Sequence, residues 1–164
     1  MPKITPFLWF DTQAEQAANY YVSLFPDSRI TQITRYGSGG PGAPGDVMTV
    51  GFELNGQAYT ALNGGPHFTF TEAVSFVVHC ADQAEVDRYW DALTADGGRE
   101  SQCGWLKDKY GLSWQIVPQE LLDLLSHPDK AAVARMFGAV MQMVKLDMAS
   151  AWPTPWSTPA SPPM

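Results

Sequence analysis

The residues that could do chemistry in this chain are few: three histidines and two cysteines stand among 164 residues. His67 follows Gly64-Gly65-Pro66, His79 precedes Cys80, and His127 precedes Pro128. Their spacings of 12 and 48 residues put no two of them one helical turn apart, so an HExxH-like metal pair is absent. Each is read as a solvated or internally satisfied histidine. Cys80 and Cys103 lie 23 residues apart, with neither CxxC nor finger spacing, which argues against a structural zinc site and a disulfide framework. Cys103 is the candidate nucleophile. Arg99, Lys107 and Lys109 are near it in sequence and would activate a thiol if they converged, while His79 would serve as base if its strand were adjacent. The competing account is a buried, inert cysteine.

One glycine-rich stretch, Gly37-Ser38-Gly39-Gly40-Pro41-Gly42-Ala43-Pro44-Gly45, has the composition of a phosphate cradle. It falls between two predicted strands, contains two prolines, and is followed by no helix that would present amides to an anion, so it is read as a rim loop. Composition agrees with that reading. A net charge of −7 at neutral pH and a pI near 4.7 repel nucleic acid and anionic membranes. No stretch approaches the roughly 18 to 20 apolar residues of a membrane span, and the N-terminal apolar run is cut at Asp11 before it reaches signal-peptide length. A cytoplasmic protein with reduced thiols is expected, with 45% hydrophobic residues to build its core.

The elements that must position these residues follow from periodicity. Ile4 to Phe10 reads as a short buried strand, and Thr12-Gln13-Ala14-Glu15 as a capping box opening a helix whose apolar positions are Ala14, Ala17, Ala18, Tyr21, Leu24 and Phe25. Strands are expected over 30–36, 47–54 and 57–62, the last two joined by Asn55-Gly56, a strong type I′ hairpin signal. One module is therefore βαβββ. The pattern recurs. Val74 to Cys80 repeats the strand, Asp82-Gln83-Ala84-Glu85 the cap, and Val86, Tyr89, Trp90 and Leu93 the helical face. Thr12 and Asp82, Glu15 and Glu85, Tyr20 and Trp90, and Pro26 and Asp96 are each 70 residues apart, which argues for internal duplication. Strands near 99–104, 105–108 and 112–117 complete the second half.

A helical segment over 120–126 follows, and then a helix opened by Pro128-Asp129, whose stripe Val133, Met136, Phe137, Val140, Met141 and Val144 is read as packing on the sheet or as a dimer contact. From Ser150 the chain is proline-rich and is read as a disordered tail, with Trp152 and Trp156 as the residues a partner would take. The expected organisation is a single domain over 1–149, with modules at about 3–66 and 72–118, C-terminal helices over 119–146 and a tail over 150–164.

The paired βαβββ halves, Asn63-Gly64-Gly65-Pro66, Val74-Ser75-Phe76 and the block from Cys103 to Pro118 together resemble the vicinal-oxygen-chelate superfamily, and within it the PhnB-like branch often labelled a 3-demethylubiquinone-9 3-methyltransferase domain. The resemblance covers about residues 3 to 148. It implies an α+β fold in which the two modules form a curled mixed sheet around a cup-shaped cavity, usually in a homodimer. Superfamily enzymes hold a metal in the cup through His, Gln or Glu. By position those sites fall here near Thr5 and Ser75, near Ala61 or Asn63, and at Gln115. Hydroxyls, an alkyl group and neutral amides are poor transition-metal donors, so a metal-free cup without a cofactor is expected.

Strand alternation supplies the lining. Thr5, Phe7 and Trp9 share one face, Ser75, Val77 and His79 another, and Ser113 and Gln115 a third, with Asn63 added from the resemblance. Such a mixture suits a small, partly apolar ligand held by a few hydrogen bonds; the alternative is a closed, packed core. Two other functions compete with ligand binding: a metal- or thiol-dependent enzyme, including the methyltransferase of the family label, and a protein-interaction module using the terminal helix and proline-rich tail.

Overall fold

A computed structural model describes residues 1–152, and the expectations placed on 153–164, Trp156 among them, lie outside the described residues. The chain divides into two compact units, Met1–Phe70 and Thr71–Met164. Each carries its own four-stranded mixed sheet. The α+β expectation of two βαβββ modules is what the chain forms.

The first unit runs β1 (Phe7–Phe10), α1 (Ala14–Leu24), β2 (Arg29–Arg35), β3 (Val47–Leu54) and β4 (Gln57–Asn63), with strand order β1-β4-β3-β2. The parallel β1–β4 pair sets Phe7 against Thr60 and Phe10 against Asn63. β1 alternates as a half-covered strand must: Leu8 and Phe10 are buried while Phe7 is 59% exposed. Ala14, Ala17, Ala18 and Tyr21 form the buried stripe of α1, and small residues at three of those positions let the helix lie close to the sheet. Asn55 and Gly56 both take positive φ, 47° and 80°, as the I′ hairpin requires.

The helix start differs from expectation. Gln13, not Thr12, is the N-cap of α1, and no side chain of the local sequence caps it. The first amide, Ala14 N, instead donates to Asn63 Oδ1 at 2.8 Å. A residue 49 positions away in sequence thus does the work assigned to Thr12.

The second unit runs β5 (Ser75–Cys80), α2 (Gln83–Thr94), a 3₁₀ turn, β6 (Arg99–Glu100), β7 (Trp105–Lys107) and β8 (Ser113–Pro118), with order β5-β8-β7-β6. Here the local cap forms, with the return bond falling one residue before the N-cap. Asp82 Oδ1 accepts from Glu85 N at 2.9 Å, and Glu85 Oε2 reaches back to Ala81 N at 2.8 Å. The β7–β8 turn is organised by buried Asp108, whose Oδ1 accepts from Tyr110 N and Leu112 N while Oδ2 accepts from Trp114 Nε1 at 2.9 Å.

Three helices follow: α3 (Gln119–Leu124), α4 (Lys130–Val140) and α5 (Met148–Ala151). The expected stripe on α4 is narrower than periodicity implied. Ala132, Met136 and Val140 are buried, but Phe137 and Met141 are about half exposed at 53% and 48%. Val144 lies beyond the helix, because Met143 and Val144 turn their carbonyls to the amides of Cys103 and Gly104, both at 2.8 Å. The expected tail boundary also moves: α5 extends to Ala151, and Trp152 is buried in a cluster with Val117, Leu121, Met136 and Leu146.

Candidate functional site

In the second unit, the β5–β8 register sets Ser75 beside Ser113 and Val77 beside Gln115. Trp114 and Ile116 are buried on the face that α2 covers, so Ser113, Gln115, Ser75 and Val77 share the opposite one. Gln115 Nε2 donates to Ser75 Oγ at 2.9 Å. Across the β7–β8 pair, Trp105 stands opposite Gln115 and Lys107 opposite Ser113, which adds an indole to the same face. Lys107 Nζ pairs with Glu72 and holds that carboxyl below the usual carboxylate range. Ser113 is buried and its Oγ has no hydrogen-bond partner. This face therefore combines Val77 and Trp105 with neutral polar groups.

In the first unit, Phe7 and Trp9 share a face with Thr60 and Leu62, their register partners. The indole of Trp9 donates to Gly65 O at 2.9 Å and stacks edge-on against Phe68, with ring centroids 5.0 Å apart. Gly64 is required there, since a Cβ would come within 2.3 Å of that indole. Thr5 precedes β1 rather than lying in it. Asn63 does not join this face. It partners buried Phe10, and its amide is consumed by Ala14 N on one side and by Val47 O, at 3.1 Å, on the other.

Register also corrects the last-strand position of the first module. Phe7 pairs with Thr60 as Val77 pairs with Gln115, so Thr60 is the counterpart of Gln115, while Ala61 is fully buried on the other face. The 70-residue offset fails here because the second module is shorter between helix and last strand. The Asn55-Gly56 hairpin sets only the β3–β4 register, so no local pattern places Thr60 against β1, and none points to Trp105.

The candidate thiol chemistry does not assemble. Cys103 sits at φ 60° beside Gly104 at φ 83°, and its thiol donates to Met141 O at 3.6 Å, with Met141 Sδ at 3.7 Å. His79 instead lies 3.1 Å from Gln119 Oε1 through Nδ1. Lys107 is engaged by Glu72, and Lys109 reaches Asp96 at 4.0 Å. Burial pushes the Cys80 thiol up to about 12.

A separate cavity of about 860 Å3 in the first unit is lined by the start of α1, the glycine-rich loop and residues 63–67. Its walls are tied: Tyr36 Oη donates to Asn63 O at 2.5 Å, and Gly40 and Gly42 lie so close to the Tyr36 ring that a Cβ on Gly42 would approach within 2.3 Å. The loop thus does meet a helix N-terminus, although that helix precedes it in sequence. Asp11, Glu15 and Asp46 line the same space and oppose an anion there.

Two βαβββ modules, each a mixed sheet with its helix, define a PhnB-like protein of the vicinal-oxygen-chelate fold. The chain belongs to the family described as 3-demethylubiquinone-9 3-methyltransferase, whose model matches residues 2–117. It is 40% identical to a PhnB protein from Bacillus cereus, with a TM-score of 0.65 over 71% of this chain and 99% of that one. Protein PA1353 from Pseudomonas aeruginosa shares the fold at 18% identity and a TM-score of 0.60, over 73% of this chain and 98% of that one. No curated protein sequence matches the chain.

The groups implied by fold and family label fit these residues poorly. At the metal positions stand hydroxyls and a neutral amide, two of them bonded to each other, and no group of three or more His, Cys, Asp or Glu is placed to hold an ion among the described residues. S-adenosylmethionine would bring its carboxylate to the helix start that faces the glycine-rich loop, but Ala14 N, the first amide there, is already taken by Asn63.

Among the described residues, no helix is long and apolar enough to cross a membrane.

Proposed function

We propose that this PhnB-like protein binds a small, partly apolar molecule without a tightly held metal, as a cytoplasmic homodimer. The observation that carries the reading is the composition of one face of the second sheet. Val77 is 42% exposed beside the Ser75–Gln115 hydrogen bond, with Trp105 opposite Gln115. Apolar surface left uncovered next to neutral hydrogen-bonding groups is what a pocket for a weakly polar ligand needs. Phe7 and Trp9 give the first sheet a similar apolar face. A net charge of −7 supports a partner other than nucleic acid.

Elemental analysis of the purified protein is the direct test. Nickel, zinc, manganese and iron are each expected well below one atom per chain; a full complement that falls away in a Gln115→Ala variant would overturn the reading. Sedimentation of the same sample should give twice the 18.0 kDa chain mass.

A further inference from the structure

The fold leaves one polar atom of the second sheet unused. Ser113 is 1% exposed, and its Oγ is buried without a hydrogen-bond partner. A sealed, unsatisfied hydroxyl is unfavourable compared with the alanine that would fill the same space, so packing alone does not account for a serine at this position. What would satisfy it is fixed by its neighbours. Gln115 stands two residues along the same strand face, its Nε2 spent on Ser75 Oγ at 2.9 Å, which leaves Oε1 as an acceptor. Positions two apart on a strand are roughly 6.6 Å apart along the chain, a span that one hydroxyl can bridge by accepting from Ser113 and donating to Gln115.

Charge narrows the class. The nearest cation on this face, Lys107 opposite Ser113, is already neutralised by Glu72, so an ionic head group finds no counter-charge. Ser75 and Gln115 beside Ser113 are only half-buried, and a ligand approaches Ser113 from their side. Beside the polar groups lie the Trp105 indole and the Val77 side chain, which favour a flat apolar body.

We propose that Ser113 is the specificity residue of this face, selecting an uncharged, flat, largely apolar molecule that carries a hydroxyl over the isostere that lacks one. The inference rests on the small-molecule-binding reading above and adds the chemistry that is recognised.

Phenol and toluene serve as the probe pair, titrated into the full chain while the backbone amides of residues 75, 77, 105, 113 and 115 are followed by NMR. Phenol should perturb those amides and bind about tenfold or more tighter than toluene, since a site built to pair with a hydroxyl rejects the analogue without it. In Ser113→Ala the preference should shrink to about twofold, with a thermal midpoint equal to or above that of the wild type. Gln115→Met should lose the same preference, which keeps the test decisive if the alanine variant is poorly folded. A phenol preference that survives in both variants overturns the role of Ser113 while leaving ligand binding intact. If neither compound perturbs these amides, the inference fails together with the binding reading on this sheet.

Discussion

Burial pushes the Cys80 thiol up to about 12, with Glu85 adding to the shift and Arg88 opposing it. At neutral pH that sulfur stays protonated and fully covered, which makes it unreactive. Cys103 is half-buried and its thiol touches only the carbonyl and thioether of Met141 among its hydrogen-bonding contacts. The two should separate cleanly in a thiol count. Ellman's reagent at pH 8 is expected to report one thiol per native chain, none in Cys103→Ser, and two in the unfolded wild type. Two fast-reacting thiols in the native protein would mean that the second sheet opens around Cys80. The backbone at Cys103 carries its own cost, about 1 to 2 kcal/mol for a non-glycine side chain in the left-handed region. It is met here by the backbone hydrogen bonds that Cys103 N and Gly104 N donate to Met143 O and Val144 O.

The two helices that cover the sheets begin on similar sequences and are capped by different means. Asp82 caps α2 locally, whereas α1 depends on Asn63 at the end of the neighbouring strand β4. Asp82→Ala should destabilise by about 1 kcal/mol, the usual worth of an N-cap. Asn63→Ala should cost more, about 2 kcal/mol, because it also frees Val47 O. Thr12→Ala should be close to neutral. Urea midpoints for the three variants check the ordering, and a Thr12 effect as large as that of Asn63 would contradict the observed cap. The contrast also shows where sequence reading reaches its limit. Element type was legible in the first module: the β3 bounds agree with expectation, and the Asn55-Gly56 turn forms; in the second, the strand expected over 99–104 is reduced to Arg99–Glu100. A cap supplied from 49 residues away has no local signature, and neither does the pairing that makes Thr60 the counterpart of Gln115. Register depends on how a hairpin closes, and a 70-residue repeat in the opening strand and helix does not constrain it.

At the scale of the chain, the segment after the second βαβββ motif is part of that unit's structure. Periodicity located α4, but the return of residues 141–152 onto the module has no periodic signature in a stretch that reads first as more of the helical stripe and then as tail. Gln83 is a two-sided tie, donating to Leu146 O at 2.9 Å and accepting from Met148 N at 3.1 Å. Next to it Lys145 Nζ meets Asp87 Oδ1 at 2.9 Å. The hydrogen bond from Lys145 holds the Asp87 carboxyl below its ordinary range, with Gln83 helping, and the same bond raises the lysine. A carboxyl lowered by folding stabilises above its unfolded value, about 3.9, and that contribution is lost as pH falls through the folded value. A lysine raised by folding stabilises below its unfolded value, about 10.4, and that is lost as pH rises through the folded one. The latch should therefore act from about pH 4 to about pH 10. Asp87→Asn is expected to lower the urea midpoint modestly at pH 7, in keeping with the exposure of both partners. The deficit should be smaller at pH 2.5 than at pH 7, because protonation of the wild-type carboxyl removes the ion pair as pH falls. A deficit of equal size at both pH values would assign the loss to packing around Gln83 and leave the ion pair without a part in holding the C-terminal segment.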